Sequence, residues 1–221
     1  MNILAISAHP DDETLGCGGT LLKHRDAGDS IYWIIATVCH EPQWSAETIR
    51  RKACEVEKVG RAFNAEVIKF GLPNARLDTI ATGELMAPIE QVVDRVRPEI
   101  VYMLHGGDIH TDHFALSTAT MSVLKPFYMR KRGIRRVLGF ETLSSTDAAP
   151  QRGERMFMPN VFADITPYMD EKIEVMRLYE TEIHAEPMPR SPSAIRALGR
   201  LRGATIATEY AEAFTLIREL M

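Results

Sequence analysis

Short apolar runs and longer segments of helical period alternate along the chain. Residues 3–7 open on Ile3-Leu4-Ala5-Ile6, the unbroken apolar pattern of a buried strand. Residues 15–26 follow with helical spacing, 31–38 form a second apolar run rich in β-branched side chains, and 46–63 a long charged helical segment. Residues 67–70 read as a short strand closed by the turn cluster Gly71-Leu72-Pro73-Asn74. The segment 84–95 predicts a helix that stops before Pro98, and 100–104 the next strand. A helix over 114–124, strands over 136–141 and 160–164, and a helix over 167–179 follow, with a last helical region beyond residue 192. This alternation predicts an α/β fold, a mostly parallel sheet with helices on both faces. Two irregular stretches, 143–159 and 186–192, are where a substrate would be gripped. Neither marks a domain boundary, so one domain over 1–221 is expected.

Composition narrows the function classes. The chain has 221 residues, 45% hydrophobic, enough for one sizeable core. Its formal charge of −4 excludes the basic excess of a nucleic-acid binder. No apolar stretch approaches the roughly 20 residues of a membrane span, and the N-terminus lacks the pattern of a signal peptide. Cys17, Cys39 and Cys54 are odd in number and show no CxxC spacing, which predicts reduced thiols in a cytoplasmic protein.

Two clusters carry the chemistry. His9-Pro10-Asp11-Asp12-Glu13 follows the first apolar run, and Asp108-Ile109-His110-Thr111-Asp112-His113 follows the run 100–104. Open α/β sheets bind ligands at the carboxyl ends of their strands. If these strands are neighbours, His9, Asp12 and His113 hold a zinc ion with one position left for water. Asp11, beside a ligand but unable to share its metal, is placed to accept a proton from water. His110 is a candidate oxyanion stabiliser or acid, and Asp112 would orient His110. Taken alone, the first cluster fits a helix cap equally well. The second cluster, at a second strand end, favours the metal site. The same ligands accept Fe²⁺.

Together the two clusters resemble the LmbE-like/PIG-L family of zinc-dependent N-deacetylases. The resemblance spans nearly the whole chain: Arg51 and Glu55 resemble the Arg and Glu of the family's second helix. Arg97-Pro98-Glu99 resembles its lead-in to the second motif, and Arg202-Gly203 with Tyr210-Ala211-Glu212-Ala213-Phe214 its C-terminal signature. It implies a Rossmann-like three-layer sandwich with zinc on His9, Asp12 and His113, Asp11 as base, and His110 as oxyanion stabiliser or acid. It also implies a small-molecule glycoconjugate carrying an N-acetylglucosamine unit as substrate. Thr111 stands where the family often has Pro, and Tyr179-Glu180-Thr181-Glu182 where many members have Tyr-x-Ser-Gln.

Other signals rank lower. Gly16-Cys17-Gly18-Gly19 fails the dinucleotide fingerprint because Leu21 stands where its last glycine belongs, so a close-packed helix start is expected. The resemblance favours Arg51 as a substrate-binding residue. Arg190 and Arg202 are candidates for an anionic part of the substrate. The basic run 130–136 reads as a solvated turn. Three functions compete: a sugar N-deacetylase, an amidase acting on a non-sugar amide, and a metal-binding scaffold without catalysis. Asp11 and His110 speak against the last, and a homo-oligomer is compatible with each.

Overall fold

A computed structural model describes residues 1–150 and 153–221. All seven strands join one sheet: β1 (Asn2–Ser7), β2 (Ser30–Val38), β3 (Ala65–Pro73), β4 (Ile100–Leu104), β5 (Arg136–Phe140), β6 (Val161–Asp164) and β7 (Ala211–Glu219). Their order is β3-β2-β1-β4-β5-β7-β6. The first five run parallel, and β7 lies antiparallel between β5 and β6. The helices are α1 (Asp12–Asp26), α2 (Ala46–Ala62), α3 (Thr82–Val96), α4 (Thr111–Val123), α5 (Pro126–Arg132), α6 (Met169–Arg177) and α7 (Pro192–Thr205).

This is the Rossmann-like α/β architecture. From β1 the chain proceeds to β2 on one side, and from β4 to β5 on the other. The connections leaving β1 and β4 therefore diverge and open a crevice between neighbouring strands. That topology brings together the two clusters, which lie about a hundred residues apart.

The glycines of α1 serve packing, as the failed fingerprint implies. A Cβ on Gly16 would lie 2.1 Å from the Phe140 ring, and one on Gly19 2.8 Å from Ile165. The helix breaks at Cys17 (φ −141°, ψ 18°), and Glu212 of β7 caps its second half. It accepts the amides of Gly19 and Thr20 at 2.8 and 2.7 Å, while Lys172 neutralises it at 2.7 Å.

One expectation is corrected, and one strand lies where the sequence predicts no element. Residues 130–132 are not a solvated turn: they end α5, and Arg132 is buried against Asp94 and Glu90 at 2.7 and 2.6 Å. The C-terminal stretch holds a strand, β7, whose outer half is only partly buried and so lacks a strong apolar run. Gln151 and Arg152 of the loop 143–159 lie outside the described residues. Among the described residues no helix is long and apolar enough to cross a membrane.

Candidate metal centre and active site

The β1–α1 junction is built on a strained residue. Asp11 sits at φ 109°, ψ −28°, a region disfavoured for any residue with a Cβ. Its amide donates to Glu13 Oε2 at 3.2 Å. Glu13 is buried, and Tyr179 Oη and Thr14 Oγ1 both donate to its Oε1, at 2.7 and 2.6 Å. Burial pushes the Glu13 carboxyl up to about 7. The turn directs the side chains of Asp11 and Asp12 to different partners. Asp12 Oδ2 accepts the amides of Ala8 and His9 at 3.0 and 2.8 Å. Asp11 Oδ2 accepts from Arg190 at 2.6 Å.

The β4–α4 junction supplies the other half. His110 caps α4, and its Nδ1 accepts the Asp112 amide at 3.2 Å. In the neutral ring the proton is thereby assigned to Nε2. Burial, then His9 and His113, lower the pKa of His110. Asp112 does not orient His110 through its carboxylate, as the spacing suggested. The carboxylate accepts the amides of Ala75 and Leu77 and lies 3.0 Å from His9 Nε2, because the first turn of α4 directs it toward the loop after β3.

The donors meet at one point. His9 Nδ1 lies 3.2 Å from His113 Nε2, His113 Nε2 3.3 Å from Asp12 Oδ1, and His9 Nδ1 3.7 Å from Asp12 Oδ2. Ligands bound tetrahedrally at ~2.1 Å stand about 3.4 Å apart. Each imidazole also has a carboxylate at its far nitrogen: Asp112 behind His9, and Asp108 at 3.1 Å from His113 Nδ1. The hydrogen bond to Asp112 fixes the His9 tautomer that turns a lone pair inward, whereas Asp108 stands beside His113 as an ion-pair partner without a hydrogen bond to Nδ1. The two facing ring nitrogens beside Asp12 are satisfied by a proton on His113 or by a metal ion between them. Burial opposes charge on His113, yet Asp12 and Asp108 raise its pKa to about 10. Burial likewise opposes charge on Asp12, but His113 and His9 hold it well below the usual carboxylate range. These donors fit a divalent ion. The ring nitrogens of His9, His110 and His113 lie within 4.8 Å of one another, so the geometry also offers His110 as a donor to the same ion.

Sequence reasoning missed the part played by Asp108. Its Oδ1 accepts the His110 amide at 2.8 Å, and its Oδ2 the hydroxyls of Ser145 and Thr146 at 2.8 and 2.7 Å. The preceding Gly107 was the available signal: a Cβ there would lie 1.9 Å from the Arg155 carbonyl oxygen. The close approach is thus to the covering loop.

A cavity of about 580 Å³ opens from the metal centre and is lined by His9, Asp11, Asp12, His110 and His113. Arg190 is in it, but occupied: its guanidinium also donates to Glu182 at 2.8 Å and to Ser144 at 3.0 Å. Burial and the Asp12 charge raise the pKa of Asp11 well above 3.8, against the opposing pull of Arg190. Arg51 is exposed and does not line the cavity; Lys52, a helical step of ~100° further on, does, and pairs with Glu182. Arg202 is also outside the lining, held bidentately by Glu141 at 2.7 and 2.7 Å.

Comparison with known proteins agrees with this geometry. The sequence model of the PIG-L family, described as GlcNAc-PI de-N-acetylase, matches residues 4–124. The deacetylase YaiS of Escherichia coli K12 is 26% identical over 185 residues, 81% of this chain and 90% of YaiS. A 1D-myo-inositol 2-acetamido-2-deoxy-alpha-D-glucopyranoside deacetylase of Saccharomonospora viridis is 24% identical over 266 residues, 91% of this chain and 97% of that protein. The fold matches the conserved protein TT1542 of Thermus thermophilus with a TM-score of 0.77, at 23% identity over 99% of this chain and 96% of that one. The match over residues 4–124 takes in both motifs, and the chain belongs to the PIG-L (LmbE-like) family.

Proposed function

We propose that this protein is a zinc-dependent N-deacetylase, which hydrolyses the acetamide of an N-acetylglucosamine-type conjugate to acetate and free amine in the cytoplasm. The observation that carries the metal is the convergence of His9 Nδ1 and His113 Nε2, 3.2 Å apart, on the Asp12 carboxylate, with Oδ1 3.3 Å from His113 and Oδ2 3.7 Å from His9. The sugar rests on the kinship with deacetylases named for acetamido-sugar substrates.

Zn²⁺, or Fe²⁺ on the same donors, would supply Lewis acidity and lower the pKa of water toward ~7. Asp11 accepts the proton of the attacking water, its carboxylate held by Arg190. The water oxygen bonds to the carbonyl carbon, and the developing oxyanion takes a hydrogen bond from His110 Nε2–H. Asp11 then gives the proton it took from water to the nitrogen as the C–N bond breaks, the amine leaves, and acetate remains.

Acetate release from N-acetylglucosamine glycosides, by zinc-loaded and by chelator-stripped protein, tests this reading. Release that requires metal is expected. No release by the loaded protein from any acetamido sugar overturns it.

A further inference from the structure

The cavity does not end at the metal centre. It runs on past the end of β1 to the ends of β2 and β3, and there its chemistry changes. Ile35 and Val38 of β2, with Ile49, Ala53 and Val56 of α2, form the apolar wall of this wing, and Thr37, Cys39, His40 and Asn74 line it at the strand ends. The charges beside it are spent on one another. Glu182 lies between Lys52 and Arg190, and Arg190 is spent again on Asp11. Lys69, exposed at the rim, is the lining cation without an acidic partner among the described residues. An anionic substrate group entering the wing would meet closed ion pairs and lose its hydration against an apolar wall, and among the described residues would find an open cation only in Lys69 at the exposed rim. An apolar group would gain by burial, about fourfold in affinity per methylene.

We infer that this wing is a subsite for an uncharged, apolar substituent of several carbons, carried on the same molecule as the scissile amide. The inference rests on the deacetylase reading and deepens it: of the arginines the sequence singled out, Arg190 is paired and Arg51 and Arg202 lie outside the lining, so none selects phosphate or carboxylate here. Two parts of a substrate present this chemistry, an alkyl or aryl aglycone and an acyl chain longer than acetyl.

Two substrate series separate them. The zinc-loaded enzyme is given β-glycosides of N-acetylglucosamine from methyl to hexyl, and N-acylglucosamines from acetyl to hexanoyl. N-acetylglucosamine 1-phosphate serves as the anionic comparison. A rise in kcat/KM of at least tenfold along the first series assigns the wing to the aglycone, and along the second to the acyl chain. Ala53→Glu, at an exposed helix position that leaves the fold intact, flattens whichever series rises. Calorimetry of hexyl and methyl glucosides, which lack the amide, on metal-free protein reads the subsite without the chemistry. Tighter binding of the hexyl compound is expected, and it is weakened by Ala53→Glu. Flat series together with equal affinities overturn the subsite while leaving deacetylation standing, as does a preference for the 1-phosphate. Tighter hexyl binding without any acetate release overturns the deacetylase reading instead.

Discussion

The Nε2 of His9 lies 3.0 Å from Asp112 Oδ2, and the opposite ring nitrogen, Nδ1, faces His113. The Asp112 carboxylate therefore acts on a candidate metal ligand, and only the Asp112 amide reaches the neighbouring His110. Asp112→Ala should lower zinc affinity by roughly 10- to 100-fold, the usual cost of losing such a carboxylate. Competition titration against a chelator measures it. Unchanged affinity with impaired turnover would return Asp112 to the role the sequence suggested.

His110 and His113, one helical turn apart, should separate cleanly. His113→Ala removes a donor at the centre of the site and should abolish stoichiometric zinc. His110→Ala should keep the metal and lose about 10²–10³ in kcat, as for a missing oxyanion donor. Metal analysis of both purified variants, beside their rates, decides between the roles. Retained zinc in His113→Ala would refute the ligand set.

As the proposed base, Asp11 should set the acidic limb of the activity. As a base it works deprotonated, so kcat/KM falls as pH drops through its pKa. Burial and Asp12 raise that pKa well above 3.8, so the limb should lie above the ordinary Asp range. Arg190 opposes the shift, and Arg190→Met should move the limb to still higher pH. A pH–rate profile of both proteins checks the sign: movement toward lower pH contradicts it. Asp11→Asn should retain metal and lose about 10²–10⁴ in rate.

Away from the site, Lys172 and Glu212 form a buried ion pair that ties α6 and β7 to the break in α1. Lys172→Met leaves the Glu212 charge with only two amides and the Thr20 hydroxyl. The loss should be about 3–5 kcal/mol, the range for breaking a buried pair on one side. Chemical denaturation of the metal-free proteins reads it, and a loss below about 1 kcal/mol would show water reaching Glu212.

Several features were legible along the chain because they are local. The apolar runs of β1, β2 and β4 announce buried parallel strands, and their spacing from the helical segments gives the α/β class. β7 was not legible: its side chains are covered unevenly, and its place between β5 and β6 depends on pairing across distant sequence. Arg132 reads as surface because charge runs usually are, yet Asp94 and Glu90 offset its burial.

The sequence by itself determined that histidines and carboxylates stand at the ends of two buried strands, and hence which residues were candidates for a metal. Only the tertiary structure decided how they divide the work. Asp108 and Asp112 each lie behind a different imidazole, Glu13 holds the strained turn at Asp11, and Arg190 reaches Asp11 from 179 residues away. The reason is geometric. A strand end fixes where a backbone leaves the sheet, but a side chain's partner is set by which other chain segment packs within about 3 Å of it, and no local pattern encodes that.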